Sequence, residues 1–170
     1  EDLEPLLIVT PPITRVEAGE TQLVRFIGTL QEPLKTQRLK RVTFEGIPQA
    51  RVGGGATIGI TLRQNLPLIL HPRGLPVHHS PWELLKWQRA GERLTVHNDS
   101  AYVVRLAPEV QLLPQGVLAT LPRTYVLPGE ALTLKVEGSL EGVAGVEIHP
   151  ATIYGFSADS HRASIDTDGS

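Results

Sequence analysis

The sequence predicts an all-β protein, and three observations carry the prediction. Fourteen prolines and sixteen glycines cut the 170 residues into short runs. Those runs are rich in Val, Ile, Leu and Thr, and no long stretch shows an apolar period of 3.6 residues. Short strands of this kind imply a sandwich or a pair of sandwiches. A hydrophobic content of 41% supports a real core, and the length suits one large domain or two small ones.

The strands expected in order are "PLLIVT" (5–10), "TQLVRFIGT" (21–29), "RLKRVTFEGI" (38–47), "GATIGITLRQNLPLILHP" (55–72), "ERLTVHND" (92–99), "AYVVRLAPEV" (101–110), "ALTLKVEG" (131–138), "AGVEIHP" (144–150) and "ATIYGF" (151–156). Turn signals separate them: "EAGE", "IPQARVGGG", "HPRGLP", "RAGE", "LPGE" and "EGVAG". "SPWELLKWQRAG" (80–91) reads either as a short helix, with Ser80 as cap and Pro81 at its first position, or as a strand.

The stretch 55–72 is the most informative. Ile58, Ile60, Leu62, Leu66, Leu68 and Leu70 are apolar, and Gly59, Thr61, Arg63 and Asn65 between them are small or polar. That is the period of a strand with one greasy face. Pro67 cannot donate to a ladder on both sides, so the strand belongs at a sheet edge or beside a bulge. A long apolar edge strand is a feature that soluble proteins normally blunt.

Residues 71–81, with three prolines and a glycine, are the weakest stretch for regular structure. The division expected is therefore 1–72 as part of a first domain, 73–81 as linker, 82–157 as a second domain and 158–170 as a polar tail with a frayed end. About four strands precede the linker, whereas a sandwich of this class needs roughly seven. The first domain is expected to be incomplete in this chain.

Charge excludes some partners. Sixteen basic residues face eighteen acidic ones and are scattered, so neither nucleic acid nor a polybasic membrane contact is indicated. There is no run of about 18 apolar residues to span a bilayer and no basic-then-apolar leader, so membrane insertion is not expected. Methionine is absent, which points to a processed form or a fragment rather than a translation start at Glu1.

The candidate chemistry is sparse. His71, His78 and His79 gather in "HPRGLPVHH", but adjacent histidines on an extended chain point apart, and there is neither Cys nor an HExxH pattern. A solvated, proline-rich linker is favoured over a metal site. No GxSxG elbow occurs, and the "GGG" at 53–55 precedes a strand and lacks the Lys-Ser/Thr of a phosphate loop. The acidic residues lie in the loop-like start and the polar end. No catalytic constellation, metal or cofactor is expected.

The order of these motifs resembles the periplasmic chaperones of the chaperone/usher pilus assembly pathway. "LLIVTPPITRVEAGETQLVRF" is similar to that family's strand, TPP turn and second strand with a basic residue, here Arg25; "RLKRVTFEGIPQ" is similar to the strand ending in Ile47 and Pro48. "ATIGITLRQNLPLILHPRGL" resembles the long last strand of the first domain, with His71 and Pro72 at its end. In the second half, Leu94, Thr95, Asn98 and Tyr102, the "VLPG" turn and "ATIYGF" match further family motifs, so the resemblance covers residues 6 to about 157.

The resemblance implies two immunoglobulin-like β-sandwich domains, the first lacking its first strands here, and a non-enzymatic periplasmic protein of a Gram-negative bacterium. Its partners would be pilus subunits, which lack a last strand, and an outer-membrane usher. The long edge strand would complete the subunit's sheet by strand addition, with Ile58, Ile60 and Leu62 as donors. The family grips a subunit carboxylate with two basic residues, and Pro67 stands where the second belongs. Proline offers no charge-assisted bond, which leaves Arg63 or Arg73 as candidate anchors. The first anchor and three strands would be supplied by a separate N-terminal fragment or by a second copy of the chain. The competing reading is a two-domain immunoglobulin-like adhesion or cell-surface module.

Overall fold

The computed structural model describes residues 7–29, 33–48, 55 and 59–167. The chain divides into two compact units, residues 1–34 and 35–170.

In the first unit, β1 (Leu7–Thr10) pairs antiparallel with β2 (Arg25–Gly28), setting Ile8 opposite Ile27 and Val9 opposite Phe26. The "EAGE" signal between them closes a turn in which the Glu20 N–H reaches the Glu17 carbonyl at 3.0 Å, with Gly19 at φ +81°. A positive φ at this position is open to glycine without steric cost.

The second unit begins with an antiparallel ladder of β3 (Arg38–Gly46) and β4 (Leu62–Leu70). A single 3₁₀ turn (Pro81–Leu84) then leads directly into β5 (Leu85–Ala90), so "SPWELLKWQRAG" is both short helix and strand. Pro81 occupies the start of that turn, where its missing N–H costs nothing.

The strands that follow are β6 (Arg93–Asn98), β7 (Val104–Leu106), β8 (Glu109–Leu113), β9 (Val117–Thr120), β10 (Tyr125–Val126), β11 (Ala131–Val136), β12 (Gly145–Ile148), β13 (Pro150–Ala151) and β14 (His161–Thr167). One sheet runs β11-β6-β5-β14 and the other β14-β12-β8-β9-β11, because β11 and β14 each switch partners midway along their length. The hydrogen-bonded order therefore closes on itself. A three-stranded sheet, β10-β7-β13, completes the domain. Strand-switching of this kind fuses the corners of a sandwich.

Alternation fills the interior. Leu85 and Trp87 on β5, Leu94 and Val96 on β6, Val110 and Leu112 on β8, Val146 and Ile148 on β12 and Ile165 on β14 are buried together. The predicted "LPGE" turn carries Pro128 and Gly129 at its two central positions, with Gly129 at φ +74° and the Glu130 N–H on the Leu127 carbonyl at 3.1 Å. Asn98, fully buried, is satisfied on every side. Its amide donates to the carbonyls of Tyr102 (2.7 Å) and Val126 (3.1 Å), and its Oδ1 accepts from the Ser100 hydroxyl (2.6 Å) and N–H (3.2 Å).

The structure corrects the sequence reading in four places. The expected polar tail contains β14, which inserts between both sheets and buries Ile165; its alternating pattern of His161, Ala163 and Ile165 is weak enough in hydropathy to pass for a solvated end. The run 101–110 breaks into β7 and β8 at Ala107–Pro108. "ATIYGF" is mostly a turn, with only its Ala151 paired to β7, next to Pro150 of the preceding run. Strands β9 and β10 carried no signal long enough to read.

Candidate functional site

The site is built on the β3–β4 ladder. Its register sets Leu62 opposite Gly46, Gln64 opposite Phe44, Leu66 opposite Val42, Leu68 opposite Lys40 and Leu70 opposite Arg38. Directly opposed residues share a face, so Leu62, Leu66, Leu68, Leu70, Val42 and Phe44 lie on one largely apolar face, with Gln64, Lys40 and Arg38 among them. The other face carries Arg63 with Glu45, Asn65 with Thr43, Pro67 with Arg41 and Ile69 with Leu39. Among the described residues no strand pairs with the other edge of β4, which is where the sequence places a strand containing Pro67.

The apolar face is wet. Leu62 is 64% exposed, Leu66 47% and Phe44 36%, while Leu68 and Leu70 are half-buried. No residue of β3 or β4 belongs to the fully buried set.

Of the expected donors, Leu62 opens β4. Ile60, 76% exposed, precedes the strand in a segment without regular structure, and Ile58 lies outside the described residues. The regular strand is thus shorter than the alternation suggested. Its partner explains the limit: β3 ends at Gly46, opposite Leu62, and Pro48 follows. Beyond that point β3 offers no ladder to pair with.

The candidate anchors separate. Arg73 sits in the exposed turn after β4, closed by the Leu75 N–H on the Pro72 carbonyl at 3.3 Å. Arg63 faces Glu45 across the ladder. The guanidinium-bearing residue beside Pro67 is Arg41, its exposed register partner on β3. Sequence reading missed Arg41 because nothing in "RLKRV" tells which of its cations falls opposite Pro67; only the register does.

A polar clasp fixes where the ladder starts. Gln37, only 4% exposed, receives the Val103 N–H on its Oε1 at 2.8 Å, and its own N–H donates to the Ala101 carbonyl at 2.8 Å. With Oε1 committed, the amide nitrogen must donate, and it does so to His71 Nδ1 at 3.0 Å. His71 is therefore the neutral tautomer carrying its proton on Nε2, which donates to the Leu75 carbonyl at 2.7 Å. Tyr102 donates to the Pro76 carbonyl at 2.5 Å, and His78 packs edge-on against the Tyr102 ring at 5.5 Å. The proline-rich segment is thus held by side chains on both sides of it. His71 and His78 are occupied in this clasp, and among the described residues no three His, Asp or Glu converge as metal ligands.

Comparison with known proteins places this architecture. Residues 1–76 match the family described as pili and flagellar-assembly chaperone, PapD N-terminal domain, and residues 81–160 match the pili assembly chaperone PapD, C-terminal domain. The fimbrial chaperone YhcA of Escherichia coli K12 is 37% identical over 155 residues, covering 91% of this chain and 68% of that protein. The chaperone protein CssC of Escherichia coli is 26% identical over 108 residues, 57% of this chain and 47% of its own length.

Solved structures agree at the level of fold. The YadV chaperone superposes with a TM-score of 0.72 at 19% identity, over 94% of this chain and 78% of its own. The complex of the Salmonella enterica SafA pilin with the SafB chaperone gives 0.71 at 22%, over 94% and 74%. With both halves of the chain matched in order and a 37% identical fimbrial chaperone, the chain belongs to the PapD family of pilus assembly chaperones.

Proposed function

We propose that the chain binds a pilus subunit in the periplasm by adding the segment 58–62 and the free edge of β4 to the subunit's unfinished sheet, and then passes it to an outer-membrane usher. The observation that carries this is the apolar surface of β3–β4. Leu62 and Ile60 leave most of their surface in water, although each would gain about 1.5–3 kcal/mol from burial. A side chain left exposed beside an unpaired strand edge suits strand addition, in which backbone bonds give affinity and alternate side chains fill pockets. The role assigned to Ile58 rests on the family resemblance and the alternation of the sequence. No catalytic role, cofactor or metal enters this reading.

Carboxylate anchoring belongs to the same proposal. Arg41, beside Pro67, is better placed than Arg63 or Arg73 to supply the cation that proline cannot.

Co-expression with the pilus subunit of the same bacterium tests the function. The expected result is a soluble one-to-one complex, abolished by Ile60→Asp while the variant remains folded. Failure of the wild-type chain to rescue soluble subunit overturns the reading. Rescue by Ile60→Asp overturns the donor assignment alone.

A further inference from the structure

The second domain carries an apolar cavity that the strand-addition edge does not use. It is a partly open hollow of about 160 Å3 whose lining includes Val77, His78, His79, Trp82, Ile153 and Tyr154, together with Arg105. A cavity of roughly 150 Å3 accepts one benzene-sized group. On its other side Arg105 lines a second, more open and more polar depression with Thr124, His149 and Ser157.

Arg105 is the unusual member. It is half-buried, its one side-chain hydrogen bond among the described residues is a long contact of 3.5 Å to the Ile153 carbonyl, and no carboxylate pairs with it there. The loop above it is built to its shape. Gly155 sits at φ +83°, and a Cβ there would lie 3.2 Å from the guanidinium.

Three hydrogen bonds within residues 152–156 hold that loop, yet Tyr154 and Phe156 remain 79% and 70% exposed. Exposed aromatics on a fixed turn beside an unpaired guanidinium mark a surface made for contact.

We propose that Arg105 and its two flanking hollows bind an extended anionic segment of the client subunit: an aromatic or branched side chain in the 160 Å3 cavity, an Asp or Glu on the guanidinium, and polar residues over Thr124, His149 and Ser157. Because Arg105 borders both hollows, the bound segment continues past it on each side. The occupant is an internal stretch of chain and not a chain end. A carboxylate is the group that the fork of a guanidinium pairs with in two parallel bonds. The identity of the partner rests on the chaperone reading above, whereas the chemistry of the site does not.

Three synthetic peptides test the proposal on the full chain by two-dimensional NMR: acetyl-Gly-Phe-Asp-Ser-Gly-amide, its Asn analogue, and acetyl-Gly-Phe ending in a free carboxylate. The Asp peptide is expected to bind about tenfold tighter than the Asn peptide, shifting the Trp82 indole N–H and the amides of Thr152 and Phe156. Arg105→Gln should erase that preference, Arg105→Lys should keep part of it, and Ile153→Ser should weaken both pentapeptides equally.

Equal affinity for the Asp and Asn peptides, a preference that survives Arg105→Gln, tighter binding of the chain-end peptide, or no shift at this site would each overturn the proposal. Absence of subunit rescue in co-expression would instead strike the chaperone reading and leave these affinities standing.

Discussion

Truncating Leu62 separates donation from folding more sharply than any other change in the ladder. In the free chain Leu62 is 64% exposed and faces Gly46, which has no side chain to pack against. Leu62→Ala therefore removes little buried surface, and a stability loss below about 1 kcal/mol is expected. If Leu62 enters a subunit's core, its truncation should behave like a buried leucine, at about 2–3 kcal/mol, the lower part of the range for that change. This corresponds to a roughly 30- to 150-fold loss of affinity. The assay is competition between wild-type and variant chains for subunit during co-expression, with urea unfolding of each free chain as control. Asn65→Ala, on the same strand but the opposite face, should compete within about threefold of wild type, since surface changes cost little. Equal effects of Leu62→Ala and Asn65→Ala, or a Leu62→Ala chain that competes as wild type, would refute the face assignment.

Two other expectations are independent of that one. Asn98→Leu leaves the carbonyls of Tyr102 and Val126 and the N–H of Ser100 without their partner; at about 1–3 kcal/mol per buried orphaned group, urea denaturation should show a loss of about 3 kcal/mol or more. Arg41→Gln should weaken subunit capture by about tenfold at low salt, and adding Pro67→Lys should restore it, since a charge-assisted bond can come from either strand.

How far the sequence reaches is clearest at β4 and β14. Alternation and Pro67 together were enough to place an apolar strand at an edge, because period and proline chemistry are local properties. The length of that strand was not local. It depends on where β3 ends, and Gly46 opposite Leu62 sets the limit. Arg41 was illegible for the same reason, since register decides which cation meets Pro67. Strand β14 was hidden by composition: "HRASIDT" holds a single large apolar residue, Ile165, and its place is secured by backbone pairing to β12 and β5 on its two sides. The Gln37 clasp joins residues 34 to 66 positions apart, a separation at which no periodic signal survives.

That clasp matters because, among the described residues, the ladder has no fully buried core of its own. The buried hydrophobic cluster among the described residues runs from Leu85 to Ile165, so the second domain owns a core and β3–β4 does not. A two-stranded ladder without a covered face is marginal in water. What fixes β3 at its start is Gln37, through Ala101, Val103 and His71. Gln37→Leu should therefore do two different things. It orphans the N–H of Val103, which is 1% exposed, costing the second domain about 1–3 kcal/mol. It also releases His71 and the end of β4, so amide exchange in β3–β4 should accelerate well beyond the amount set by that global loss. Equal acceleration across β3–β4 and β5–β14 would show that the clasp contributes only stability. Selective acceleration would show that it holds an otherwise poorly supported strand in the position from which it is offered to a partner.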